Sequence, residues 1–84
     1  MKAIIIGAGE VGFHTAKLLI AENNDVVLID QSKEACQRVQ ERLDLLTLEG
    51  PGASPALLME AGLEEAELLI AATNNDEINM LTCL

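Results

Sequence analysis

An α/β chain built on a doubly wound parallel sheet is what this sequence predicts, and three observations carry it. Short runs of aliphatic residues alternate with longer segments of helical spacing, in the order βαβαβαβ. The first run leads straight into three glycines, at 7, 9 and 12. The second run ends in a carboxylate, Asp30. Strands separated by helices pair in parallel through right-handed crossovers, so the expected strand order for the part present is 3-2-1-4.

Each element has its own warrant. Residues 3–6 are continuously apolar, as suits a strand buried on both faces. Residues 10–22 read as a helix, with Val11, Thr15, Leu18, Leu19 and Glu22 at the 3-4-3 spacing of one mostly apolar face. Asn23 and Asn24 are a stop and turn signal. Residues 26–29 form a second buried strand. Ser32 is a fit N-cap for a helix to about residue 43, whose packing face is Ala35, Cys36, Val39 and Leu43. Residues 45–48 form a third strand, followed by the Gly/Pro-rich loop 49–55. Ser54 caps a short helix that has Pro55 at its first position and Gly62 past its end. Residues 68–72 form a fourth strand. Asn74 and Glu77 have the spacing of a capping box, and Ile78, Leu81 and Leu84 mark the face of a last helix. That helix is still running at residue 84, and the fourth strand would have no further neighbour, so a domain incomplete at its C-terminus is expected.

Composition narrows the function classes. The 84 residues are 50% hydrophobic and 23% charged, which suits one small globular domain over 1–84. Fourteen acids against five Lys and Arg leave a net charge of −9. A nucleic-acid backbone would be repelled. Phe13 is the single aromatic residue, so stacking platforms for bases are missing too. No apolar run approaches the ~20 residues that span a bilayer, so direct membrane insertion is not expected. The apolar start after Met1 stops at Gly7 and reads as a strand rather than an export signal, which implies a cytoplasmic chain. Cys36 and Cys83 show neither metal spacing nor a CxxC pair and are expected as reduced thiols. No metal site is expected.

The segment Gly7-Ala8-Gly9-Glu10-Val11-Gly12 is a GxGxxG turn between a strand and a helix. Gly7 permits the tight turn, Gly9 permits close approach of a pyrophosphate, and Gly12 permits close packing of helix on sheet. The N–H groups of the helix start then face the anion. The same three glycines could serve packing alone. What favours a dinucleotide is the context: a βαβ unit whose second strand ends in Asp30, 18 residues after Gly12. Asp30 should accept hydrogen bonds from ribose hydroxyls and repel a 2′-phosphate, favouring NAD or an adenine mononucleotide over NADP. The loop 73–76 leaves the fourth strand across the topological switch point, which makes Thr73 and Asn74 candidate contacts or simply caps of the last helix. Glu10 is negative where phosphates sit and should point outward. His14 shares a stripe with Glu10, Lys17 and Ala21, away from the apolar face, and reads as a solvated histidine. Cys36 reads as a small buried hydrophobe. Met59 and Met80 read as filler or boundary residues, and the acids at 64, 65 and 67 as a solvated turn.

The stretches MKAIIIGAGEVGFHTAKLL, NNDVVLID and AGLEEAELLIAATNNDEINM resemble the N-terminal domain of the Trk potassium-uptake regulatory proteins, the RCK (TrkA-N) family. The specific parts are the AG-x-x-x-A segment at 61–66 and the A-x-T-x-x-D-x-x-N segment at 71–79. The resemblance implies a Rossmann-like domain that binds NAD(H), with AMP, ADP or ATP as alternatives. It implies a non-enzymatic regulatory subunit, peripheral to the inner face of the membrane through a potassium transporter subunit whose gating it changes. It also implies a homo-oligomer, dimer or tetramer, in the full-length protein. The matched ligand-binding positions are Gly7, Ala8, Gly9, Glu10, Val11 and Gly12, then Asp30 and Gln31, then Thr73, Asn74 and Asn79. Where the family often has Gly-Asp-Ala/Gly after the third strand, this chain has Gly50-Pro51-Gly52-Ala53. The family's acid contact to the base is therefore not expected at this position, which leaves backbone contacts at Gly52 and Ala53. The alternative is the cofactor-binding half of an NAD-dependent dehydrogenase, whose catalytic groups would follow in a later domain.

Overall fold

The computed structural model describes residues 1–52, 54–72 and 78–82, the last segment by its backbone. At its centre is β1, Lys2–Ile6. It pairs in parallel with β2, Asp25–Asp30, on one side and with β4, Leu68–Ala72, on the other. β3, Leu46–Glu49, adds in parallel outside β2. The sheet order is β3-β2-β1-β4-β5, so the expected 3-2-1-4 arrangement is present and carries one further strand.

That further strand corrects an expectation. The spacing of Ile78, Leu81 and Leu84 predicts a last helix, whereas Ile78–Thr82 forms β5, antiparallel to β4 in a register that sets Leu68 opposite Thr82 and Ala72 opposite Ile78. The fourth strand therefore does have a neighbour. A five-residue run containing Ile, Leu and Met has no decisive period, and the unpaired backbone groups of an edge strand reward the extended reading. Asn74 and Glu77 of the predicted capping box, and Leu84, lie outside the described residues.

Burial on both faces of the sheet follows from strand alternation. Ile5, Val26, Leu28 and Ile70 meet Ala16 from α1 (Glu10–Ala21) and Ala35 and Val39 from α2 (Lys33–Arg42). Ile4, Val27 and Ile29 meet Ala61 and Ala66, with Leu57 and Leu58 of α3 (Pro55–Glu60) packed alongside. One layer of helices thus covers each face, and the run of apolar residues in β1 and β2 needs no polar alternation. Ala3, Ile4, Ile5, Leu28 and Ile29 are fully buried.

The helix ends obey local chemistry. The Ser32 hydroxyl accepts from Ala35 N–H at 3.2 Å and the Ser54 hydroxyl from Leu57 N–H at 3.4 Å, so both predicted caps are present. Asn23 takes a left-handed φ of 67° as the chain leaves α1. Gly62, at φ 92°, turns the chain out of α3 into a single 3₁₀ turn, Leu63–Glu65. There Glu64 and Glu65 are exposed, as expected, and Glu65 lies 3.7 Å from the Lys2 ammonium.

The packing face of α1 differs from the periodicity reading. Gly12 and Ala16 are buried, with Phe13, Leu19 and Ile20 packed against the core, whereas Leu18 is 67% exposed. The face is rotated by about one residue because the glycine, rather than the bulkier Val11, is what lets the helix lie close to β1.

Candidate functional site

Three turns converge at the carboxyl ends of β1, β2 and β3, and each glycine in the first turn meets a different environment. Gly7 has φ 114°, a conformation a side chain rarely tolerates, and a Cβ there would strike the Ala72 carbonyl oxygen. A Cβ at Gly12 would strike the Gly7 carbonyl oxygen. Both glycines are demanded by the protein itself. Among the described residues a Cβ at Gly9 would meet nothing within 4 Å, and its backbone, at φ −71° and ψ −169°, suits any residue. Nothing among the described residues calls for a glycine at position 9.

Contact between Gly7 and Ala72 places the turn against the end of β4, at the point where the chain reverses its direction of travel across the sheet. In open α/β sheets this is where ligands bind. Gly9 is also the N-cap of α1 and makes no side-chain cap. The first-turn N–H groups of α1 are therefore left without the kind of partner that Ser32 and Ser54 supply to α2 and α3.

Asp30 closes the other side. Its Oδ2 accepts the Ala8 N–H at 2.6 Å and its Oδ1 accepts the Ser32 N–H at 2.7 Å. Each oxygen retains a further lone-pair direction. Behind it, the buried Cys36 thiol lies 3.7 Å from the Asp30 carbonyl oxygen and 3.8 Å from that of Leu48. Burial, reinforced by the negative Asp30, pushes the Cys36 thiol above its ordinary value of 9.0.

A cavity of about 630 Å³ opens between α1 and α2 along this edge. It gathers Ala8, Gly9, Glu10 and Asp30 from the predicted set. Glu10 is exposed and turned to solvent, in keeping with its charge. Gly7 and Gly12 shape the turn from behind, and Val11 is half-buried with its carbonyl accepting the Thr15 hydroxyl at 2.8 Å. Gln31 is exposed beside the cavity rather than among its lining residues. Gly52 packs on Ile6 at the end of β1, which keeps the β3–α3 turn at the same edge of the sheet. Ala53, Thr73 and Asn74 lie outside the described residues, and Asn79 is described only as the backbone partner of Ala71.

The cavity is also lined by Phe13, by His14 and Ser32, which the sequence reads as a solvated histidine and a helix cap, and by Arg38 and Arg42, which it does not single out. His14 is exposed, as read, and its ring stands edge-on to Phe13 at 5.7 Å. Arg38 and Arg42 are four apart on one face of α2, a spacing visible in the sequence. Their orientation toward α1 was not visible, because it depends on how the two helices sit together. Neither arginine forms an ion pair within 4.0 Å among the described residues. Among the described residues there is also no group of His, Cys, Asp and Glu that could hold a metal ion, and no helix long and apolar enough to cross a membrane.

Comparison with known proteins gives the family of the chain. The TrkA-N domain family model matches residues 3–84. A Trk system potassium uptake protein trkA homolog 1 from Methanosarcina mazei is 51% identical over 84 residues, covering 100% of this chain and 20% of that protein. The Trk system potassium uptake protein TrkA of Halomonas elongata is 45% identical over 83 residues, covering 99% of this chain and 18% of that protein. A homolog from Archaeoglobus fulgidus is 42% identical over 84 residues, covering 100% and 19%. The chain spans about a fifth of the length of the curated relatives it matches. On the family match, the full-length agreement and the Rossmann-like sheet, the chain belongs to the TrkA-N domain family.

Proposed function

We propose that this chain is the nucleotide-binding module of a regulatory subunit of a potassium uptake system, taking NAD(H) or an adenine nucleotide across the glycine turn. The observation that carries the reading is Gly9, a glycine that neither its backbone conformation nor packing among the described residues requires, at a helix start without a side-chain cap. A phosphate seated there would accept the first-turn N–H groups and feel the positive end of the helix dipole. The ribose hydroxyls would reach Asp30. Polar contacts from Thr73, Asn74 and Asn79 would complete the far side, and Gly52 and Ala53 would offer backbone groups toward the base. The names of the relatives point to potassium uptake as the process served.

Regulation needs no chemistry at this site. A ligand that contacts the glycine turn differently in two arrangements of an oligomer shifts their populations, and one with equal affinity for both shifts nothing. Coupling of ~1–3 kcal/mol would change transporter activity several-fold to a hundredfold. The subunit would act at the cytoplasmic face of the membrane, docked on the transporter. The test is calorimetric titration of the full-length protein with NAD, NADH, ADP and ATP, followed by potassium flux in reconstituted transporter with and without each ligand that binds. Nucleotide-dependent flux is expected. Flux indifferent to every bound nucleotide, or steady oxidation of NADH with a small substrate, would overturn the regulatory reading.

A further inference from the structure

We propose that Asp30 positions the phosphate cradle as well as receiving the ribose, so that its carboxylate sets the affinity of ligands it never touches. The ligand arm of this proposal rests on the nucleotide reading above; its geometry does not. Three separate turns are tied to this one residue. The carboxylate accepts the Ala8 N–H of the β1–α1 turn at 2.6 Å and the Ser32 N–H of the β2–α2 turn at 2.7 Å. The Asp30 carbonyl accepts the Gly50 N–H of the β3–α3 turn at 2.9 Å. Next to it, the Ile29 carbonyl accepts the Gly7 N–H at 2.7 Å.

The consequences fall on the turn. Ala8 lies between Gly7 and Gly9, so a bond that fixes its amide orients the peptide planes leading into the helix start. Bonds to an ionised acceptor are short and about twice as strong as neutral ones. Ala8 is 8% exposed and its bond to the carboxylate is part-buried, so removing the carboxylate takes away the partner that the N–H has in the fold. Gly7 and Gly9 on either side have the least intrinsic stiffness of any residue, so the restraint has to come from outside the turn. Receiving a ribose and holding Ala8 are compatible, because each carboxylate oxygen has capacity for more than one donor.

The test separates holding from touching. Amide hydrogen exchange is measured without ligand on the full chain of the wild type, Asp30→Asn and Asp30→Ala. In parallel, each protein is titrated with ADP and with 2′,3′-dideoxy-ADP, which lacks the hydroxyls Asp30 would contact. Exchange at the bonded amides of the turn, Gly7, Ala8 and Phe13, and at Ser32 should rise about tenfold in Asp30→Ala, while the amides of β1 stay protected. Asp30→Asn keeps one oxygen acceptor in the same shape and should fall between the two. Affinity for dideoxy-ADP should drop about tenfold in Asp30→Ala, the loss expected from a loosened turn alone. Unchanged exchange in the turn overturns the proposal. So does an Asp30→Ala effect confined to ADP, which would leave ribose contact as the whole role. If Asp30→Ala does not fold, Asp30→Asn carries both comparisons. A wild type that binds neither ADP nor its dideoxy analogue, and in the titrations above neither NAD, NADH nor ATP, would overturn the nucleotide reading, and the exchange measurement then decides positioning alone.

Discussion

Gly9 and Gly12 are two turns of phrase in one motif with opposite physical roles, and substitution separates them. Gly12→Ala forces a methyl group onto the Gly7 carbonyl oxygen, so the helix must lift off β1, at a cost of ~1–3 kcal/mol in unfolding free energy. Gly9→Val meets nothing among the described residues, and its stability should stay within ~1 kcal/mol, the scale of an N-cap change. Nucleotide affinity should nonetheless vanish in Gly9→Val, because the branched side chain occupies the space a phosphate needs. Denaturant unfolding and calorimetry on the two variants read both quantities. Asp30 makes a second residue-scale prediction: NAD should bind more tightly than NADP, and Asp30→Ala should narrow that gap while weakening NAD by ~1–3 kcal/mol. Equal affinity of the wild type for the two dinucleotides would remove Asp30 as the selector. Cys36 supplies a third. Its buried thiol holds its proton more tightly in the folded state than in the unfolded one. The resulting stability is fully present below the ordinary value of 9.0 and is lost as pH rises through the higher folded value. Alkylation of Cys36 at neutral pH, followed at that residue by peptide mass spectrometry, should therefore be slow in the native protein and fast after unfolding.

Among the elements, α2 carries the most visible consequence, because it both walls the cavity and depends on a single cap. Ser32→Ala removes the hydroxyl that accepts the Ala35 N–H and should cost ~1 kcal/mol, measured by denaturant unfolding. The Ser32 N–H to Asp30 bond survives that change, since it uses the backbone. The helix was legible from its cap and from the Ala35, Cys36 and Val39 face because an exposed amphipathic helix states its packing side in its periodicity. α1 was legible in extent and not in orientation. Its small residues, Gly12 and Ala16, decide the contact with the sheet, and small residues leave little mark on a hydrophobic pattern. β5 was misread as a helix because residues 78–82 carry too few turns of either period to choose between them.

For the whole molecule, stability is concentrated where β1 and β2 are buried on both faces. Ile5→Ala removes a fully buried side chain from the cluster shared with α1 and α2 and should cost ~2–5 kcal/mol. Thermal unfolding of the variant would report this; a loss under ~1 kcal/mol would mean that the site collapses freely, contrary to the dense packing of such cores. The sequence by itself determined the alternation of strands and helices, the parallel order 3-2-1-4, both serine caps and the glycine turn. Each of these follows from local rules: apolar runs, capping chemistry, chain chirality and the φ that only glycine tolerates. Tertiary structure alone decided the rest. Which of the three glycines the protein itself needs depends on what lies across from each: Ala72 from a strand 65 residues along the chain, the Gly7 carbonyl, or open space. That Asp30 joins three turns, and that Arg38 and Arg42 face α1, depends on distances between elements, and no period or motif in a single chain encodes those.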